Sequence, residues 1–108
     1  DVAEVKAIQQ LFGEHAYALN ITSSKSMLGH TMGAAGAVEA IISILSMQQG
    51  MVTPTINHEQ GDEDPNIDYR LNFTFNQAQP RNIHYAMSNN YGFGGQNACL
   101  LFKNPNIQ

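Results

Sequence analysis

A single cysteine, Cys99, rules out any intramolecular disulfide. It sits in the apolar run ACLLF, with no electropositive loop or helix start around it. It therefore reads as a small buried hydrophobe and not as a nucleophile. Basic residues are also scarce: five Lys and Arg stand against nine Asp and Glu, a formal net charge of −4. That balance argues against nucleic acid or an anionic membrane as a partner. No apolar run reaches the length of a membrane span, and no signal-peptide pattern opens the chain. A reducing cytoplasm is the expected location. Repeats, heptads and low-complexity tracts are missing too. His58 has no companion at metal-ligand spacing and reads as a surface histidine. The 108 residues leave room for one domain with a modest core.

The chain is organised around TSSKSMLGHTMGAAGA, Thr22 to Ala37. Lys25 and His30 lie five residues apart in a Ser/Gly-rich loop. Gly33, Ala34, Ala35 and Gly36 carry almost no side-chain bulk, which lets a neighbouring backbone approach. The stretch from Ala37 to Met47 is apolar nearly all round and predicts a buried helix over about Gly33 to Gln49. Gly50 is its expected C-terminal stop. Two readings are open for Glu39 on that helix: a carboxylate that snorkels to the surface, or a buried one that needs a partner.

Upstream, Val2, Val5, Ile8 and Leu11 or Phe12 recur at helical spacing, and Gly13 marks a stop. This helix begins without a visible cap, which suggests that a preceding strand and turn are missing. Ala16 to Ile21 reads as a short strand with Tyr17, Leu19 and Ile21 on one face. The site loop would follow it, where open α/β sheets place functional loops. Downstream, Thr53-Pro54-Thr55 reads as extended, because Pro54 disfavours a helical residue before it. The acidic stretch from His58 to Asn66 reads as a solvated turn. Leu71, Phe73 and Phe75 alternate with polar residues and predict a half-buried strand. Ile83 to Tyr91 and Gln96 to Lys103 predict an antiparallel hairpin across Gly92-Phe93-Gly94-Gly95, with ACLLF as a central strand. The GFGG loop is not a dinucleotide fingerprint, since it lacks that spacing and no helix follows.

Three segments, in one order, resemble the β-ketoacyl-acyl carrier protein synthases of the thiolase superfamily, nearest the synthase II type. They are DVAEVKAI, SSKSMLGHTMGAAGAVEA and NNYGFGGQNA. The resemblance covers nearly the whole chain. It implies an α/β, thiolase-like fold, of which residues 1–108 are a C-terminal-half segment with a mixed sheet and a buried central helix. The nucleophilic cysteine and the first catalytic histidine are then expected upstream of Asp1.

The activity implied is acyl transfer followed by decarboxylative Claisen condensation, in fatty acid or polyketide-like biosynthesis. An acyl chain moves from carrier protein to the cysteine, and a malonyl thioester then loses carbon dioxide and attacks it. By resemblance, His30 is the second of two histidines that stabilise the enolate oxygen. Lys25 is a fixed positive charge. The Phe93 N–H donates to the oxyanion of acyl transfer, and the Phe93 ring gates the acyl pocket. Glu4, Glu39, Ser88 and Asn89 form a surrounding polar or cation-stabilised cluster, with Glu4 paired to Lys25. Glu4 taken without the resemblance is an ordinary solvated helix charge. No cofactor and no catalytic metal are expected. The expected partners are acyl carrier protein bearing acyl and malonyl thioesters, with the complete enzyme a homodimer. A chain-length-factor-like partner without the nucleophile, or a non-catalytic interaction module, is the alternative.

Overall fold

The computed structural model describes residues 2–92 and 94–106. Helix α1 runs Val2–Phe12 and leads into a 3-10 helix, Gly13–Ala18. A short helix α2, Lys25–Leu28, and a 3-10 turn, Met32–Ala34, precede the long helix α3, Ala35–Gln49. Strands β1 (Met51–Val52) and β2 (Gln79–Pro80) pair antiparallel, as do β3 (Tyr85–Gly92) and β4 (Gln96–Lys103). Two isolated parallel bridges, Asn20 with Asn72 and Thr55 with Phe75, complete the pairing. The expected mixed sheet is therefore two antiparallel pairs joined to parallel contacts one residue wide.

The core forms where α1 meets the segment around Leu71. Val5, Ala16 and Leu71 are buried together, with Ile8, Phe12, Ile21, Ile67 and Phe73 packed on them. Of the two candidates at the end of the helical stripe, Phe12 joins this core and Leu11 is 70% exposed. Gly13 turns the chain at φ +56, as expected of a stop. The strand expected over Ala16 to Ile21 does not form. Ala16 is fully buried against α1 in the 3-10 helix, while the Tyr17 hydroxyl donates outward to Asp68 Oδ2 at 2.6 Å. Those two pulls suit a tight helical turn better than alternation across a sheet. Among the described residues of this stretch, strand-like backbone pairing is confined to Asn20 and Ile21, through the bridge to Asn72.

Leu71 to Phe75 departs from simple alternation as well. Leu71 is buried, but so is Thr74, and Thr74 and Asn76 lie at φ +54 and +66. These left-handed residues cut the extended run into two single bridges. Phe73 and Phe75 stack at 5.5 Å, and Tyr69 tilts against both.

Helix α3 ends as predicted, with Gly50 left-handed at φ +64 and its N–H on the Ser46 carbonyl. It packs on β3 and β4. The ribbon covers one side only. Ile41 is 57% exposed, and Ile44 and Leu45 are also open, so within this chain the helix is half-buried. The same geometry corrects the reading of β4. Among the described residues it pairs with β3 alone, and both Cys99 and Leu101 are exposed. The apolar run that suggests a central strand lies at an edge here. The hairpin register runs from Tyr85 opposite Lys103 to Gly92 opposite Gln96. Gly94 and Gly95 sit at φ +85 and +84, which only glycine adopts readily. Phe93, the expected gate, lies outside the described residues.

Candidate functional site

Lys25 opens α2. The turn closes through the Met27 and Leu28 N–H groups, both on the Ser24 carbonyl at 3.0 Å, and the Gly29 N–H on the Lys25 carbonyl at 2.8 Å. Gly29 then leaves the helix at φ +76. The Lys25 ammonium donates to Glu39 Oε2, one turn into α3. Their side chains are 36% and 16% exposed, so the pair is partly withdrawn from water. This settles the reading of Glu39 as a carboxylate with a partner.

The partner expected for Lys25, Glu4, is elsewhere. Glu4 is exposed on α1, and its influence falls on Tyr91 at the end of β3. Partial desolvation, and after it the Glu4 carboxylate, push the Tyr91 phenol above its ordinary value. Ser88 is buried and Asn89 half-buried on β3, opposite Leu100 and Cys99. No hydrogen bond joins either of them to Glu4 or Glu39 among the described residues. The structure therefore brings together Lys25 and Glu39 but not the larger cluster. Nor do three His, Cys, Asp or Glu side chains converge on a metal-sized site among the described residues.

His30 follows Gly29 and is exposed. Its Nδ1 accepts the Met32 N–H at 3.0 Å. Met32 presents that N–H from φ +54, an uncommon conformation for a side chain of its size. An imidazole nitrogen that accepts a hydrogen bond carries no proton. The neutral ring must then carry its proton on Nε2. Nε2 has no hydrogen bond to the described residues, so this N–H is available to an outside acceptor. The small residues that follow do not draw a backbone close in this chain. A Cβ on Gly33 would meet nothing within 4 Å, and one on Gly36 would meet only the Asn90 side chain at 3.7 Å.

Two further polar groupings lie outside the expected site. Arg70 brackets Asp68 through Nε and Nη2, the latter at 2.8 Å, and its guanidinium lies 5.1 Å from the centre of the Tyr17 ring. The Arg70 and Tyr17 hydrogen bonds hold the Asp68 carboxyl well below its usual range. Accepting the Tyr17 proton bond, Asp68 raises the Tyr17 phenol. His58, read as a surface residue, instead stacks on Phe75 at 3.8 Å and places Nε2 3.5 Å from Glu63 Oε1. With Tyr69, Phe73 and Phe75 they line a shallow cleft of about 280 Å³. Asp68 with Arg70 and His58 with Glu63 are near neighbours in sequence, but the aromatic member of each grouping comes from a distance: Tyr17 lies 51 residues from Asp68, and Phe75 lies 17 from His58.

Comparison with known proteins agrees with the motif segments. The family described as beta-ketoacyl synthase, C-terminal domain, matches residues 1–59. The 3-oxoacyl-[acyl-carrier-protein] synthase 2 of Coxiella burnetii is 46% identical over 101 residues, 94% of this chain and 23% of that protein. That of Staphylococcus aureus strain COL is 48% identical over 95% of this chain and 24% of its own length. The chain thus spans about a quarter of the relatives it matches. Among solved structures, a beta-ketoacyl synthase from Burkholderia phymatum superposes at TM-score 0.82 with 40% identity, covering 95% of this chain and 24% of that one. A structure of a type II PKS acyl-carrier protein in complex with its ketosynthase gives 0.83 at 33% identity, over 93% of this chain and 24% of the other. These superpositions give the chain the α/β, thiolase-like fold that its motifs imply.

Proposed function

The chain belongs to the β-ketoacyl synthase family, and on that premise we propose that it supplies the Lys/His side of a decarboxylative condensation site in a 3-oxoacyl-[acyl-carrier-protein] synthase. The observation that carries this reading is the Met32 N–H on His30 Nδ1. It leaves Nε2–H as a neutral donor of the kind that stabilises a thioester enolate.

The chemistry then runs as follows. The C–C bond to the malonyl carboxylate breaks and carbon dioxide leaves. The electron pair delocalises onto the thioester oxygen, where His30 Nε2–H donates a hydrogen bond. The enolate carbon attacks the carbonyl of an acyl group held as a thioester on a cysteine. A C–C bond forms, and the thiolate departs. Lys25, fixed by Glu39, adds positive potential and anchors the turn beside His30. The cysteine and a second imidazole come from the part of the synthase that this chain does not span. Phe93 is assigned the acyl-transfer oxyanion donor and the gate by resemblance; Gly94 and Gly95 beside it lie at positive φ, where glycine has the backbone freedom a movable loop requires.

Acyl carrier protein is the proposed partner, since a structural neighbour was solved with one. With five basic residues against nine acidic, this segment has little to offer an acidic carrier, so docking falls on the other part of the synthase. A cytoplasmic homodimer is the proposed assembly. A chain-length-factor-like partner is the second reading, because a ketosynthase/chain length factor superposes at TM-score 0.84. The intact Lys25–Glu39 pair and the tautomer set on His30 favour the catalytic one.

The test is product formation. The complete synthase carrying this segment should convert acyl- and malonyl-carrier protein to β-ketoacyl product, and the 108-residue chain alone should form none. Steady product from the chain alone, or none from the complete protein, contradicts the proposal.

A further inference from the structure

Lys25 opens a helix of four residues, too short to hold itself. Its N-terminal residue Ser24 makes no side-chain capping bond. Something outside the helix must fix the position of the lysine. Glu39 fixes the ammonium end. The backbone end is fixed by the extended segment over residues 53–56.

That segment makes four bonds to the turn, the longest between the Thr22 and Thr55 hydroxyls at 3.4 Å. The Ser23 N–H donates to Thr55 Oγ1 at 2.9 Å. The Thr22 hydroxyl donates to the Thr53 carbonyl at 2.5 Å. The Ser26 hydroxyl donates to the Ser23 carbonyl at 3.0 Å and accepts the Ile56 N–H at 2.9 Å. Thr55 is the junction, because its backbone is tied elsewhere. Its N–H donates to the Thr74 carbonyl at 2.9 Å, and its carbonyl accepts the Asn76 N–H at 2.8 Å. Thr74 is 1% exposed, and its hydroxyl donates to the Ile21 carbonyl at 3.0 Å. A continuous set of bonds thus runs from a buried threonine, through Thr55, to the residue two before Lys25.

We propose that Thr55, with Ser26 as a second anchor, is a positioning residue for Lys25 in the condensation site. The proposal rests on the reading of Lys25 and His30 given above. Without the Thr55 hydroxyl, the Ser23 amide turns to water and the turn loses its fixed point against 53–56. Lys25 then samples positions away from Glu39 and from the oxygen whose charge it offsets. Misplacing a reacting or charge-stabilising group by about 1 Å can slow a reaction by up to roughly a hundredfold.

The experiment uses the complete synthase carrying this segment, with malonyl decarboxylation, cysteine acylation and thermal melting each measured. Thr55→Val removes the acceptor and keeps the side chain's shape. It should slow decarboxylation by about tenfold, while acylation and melting change little. Thr55→Ser restores the acceptor and should return the rate to within about twofold of wild type. Lys25→Ala with Thr55→Val should be no slower than Lys25→Ala alone, since both act through one side chain. Ser26→Ala repeats the comparison should the valine variant fail to fold. The proposal is overturned if the two losses add, if Thr55→Ser does not rescue, or if both half-reactions fall together with the melting temperature. A Lys25→Ala enzyme with wild-type decarboxylation overturns it as well, and identifies the functional reading as the part that failed.

Discussion

His30 and Met32 are joined by a hydrogen bond that runs from backbone to ring: the Met32 N–H meets His30 Nδ1 at 3.0 Å. The bond costs Met32 a left-handed backbone and sets the proton of the neutral imidazole on Nε2. Two residues of local sequence thereby decide which atom the site presents. Lys25, on the turn before, is held by a separate pair with Glu39.

That pair should be measurable in stability. Glu39→Gln leaves Lys25 without its counter-charge in a setting between surface and interior. The expected loss is about 1–2 kcal/mol, above the value of an exposed pair and below that of a buried one. Urea denaturation of Glu39→Gln, Lys25→Met and the double variant checks it. A coupling energy near zero would show that the pair does not hold the turn.

The helix stop after α3 gives a second expectation. Gly50 lies at φ +64, and an added Cβ would come 3.2 Å from the Arg81 carbonyl oxygen. The Arg81 N–H also bonds the Gly50 carbonyl at 2.9 Å, so the two cannot simply separate. Gly50→Ala should destabilise by about 1 kcal/mol from the backbone conformation, and by more through the contact. A thermal melt matching wild type would mean that the β1–β2 turn gives way freely.

Much of this arrangement is legible in the amino-acid sequence. The stripe of Val5, Ile8 and Phe12, the stop at Gly50 and the glycine-centred hairpin each carry a local periodicity or a residue with special backbone freedom. Lys25 and His30 are singled out by motif, and their roles stand as the proposal made above. The illegible parts depend on distant partners. Tyr17 looked like a strand residue because its hydroxyl's destination, Asp68, lies 51 positions away. The family resemblance points Lys25 to Glu4, whereas the fold puts Glu39 in reach. Thr74 is left-handed although β-branched, a conformation that propensity argues against and its buried hydrogen bonds enforce. Cys99 and one side of α3 are exposed in this chain, because an apolar run predicts burial without saying which layer supplies it.

Stability towards acid should depend on Asp68. Its carboxyl is depressed by Arg70 first and by the Tyr17 hydroxyl next. A depressed folded value means the contribution is full above the ordinary carboxylate value, near 3.9, and is lost as pH falls through the folded one. Asp68→Asn should therefore lie below wild type in urea midpoint at neutral pH, with the gap closing below about pH 4. Tyr17, raised by the same bond, works at the other end: its contribution is full below about pH 10 and lost as pH rises through the folded value. Urea midpoints from pH 2 to 11 on both proteins read both limbs. A gap that stays constant across the acid range would remove Asp68 from the account.

The central claim is that His30 Nε2–H stabilises the enolate oxygen, and the most direct measurement separates the two half-reactions. In the complete synthase carrying this segment, His30→Ala should slow malonyl decarboxylation by about a hundredfold or more, the scale of a lost oxyanion donor. Acylation of the cysteine should fall far less. Equal losses in both half-reactions, or an unchanged decarboxylation rate, would contradict the account and make His30 a structural residue of the turn.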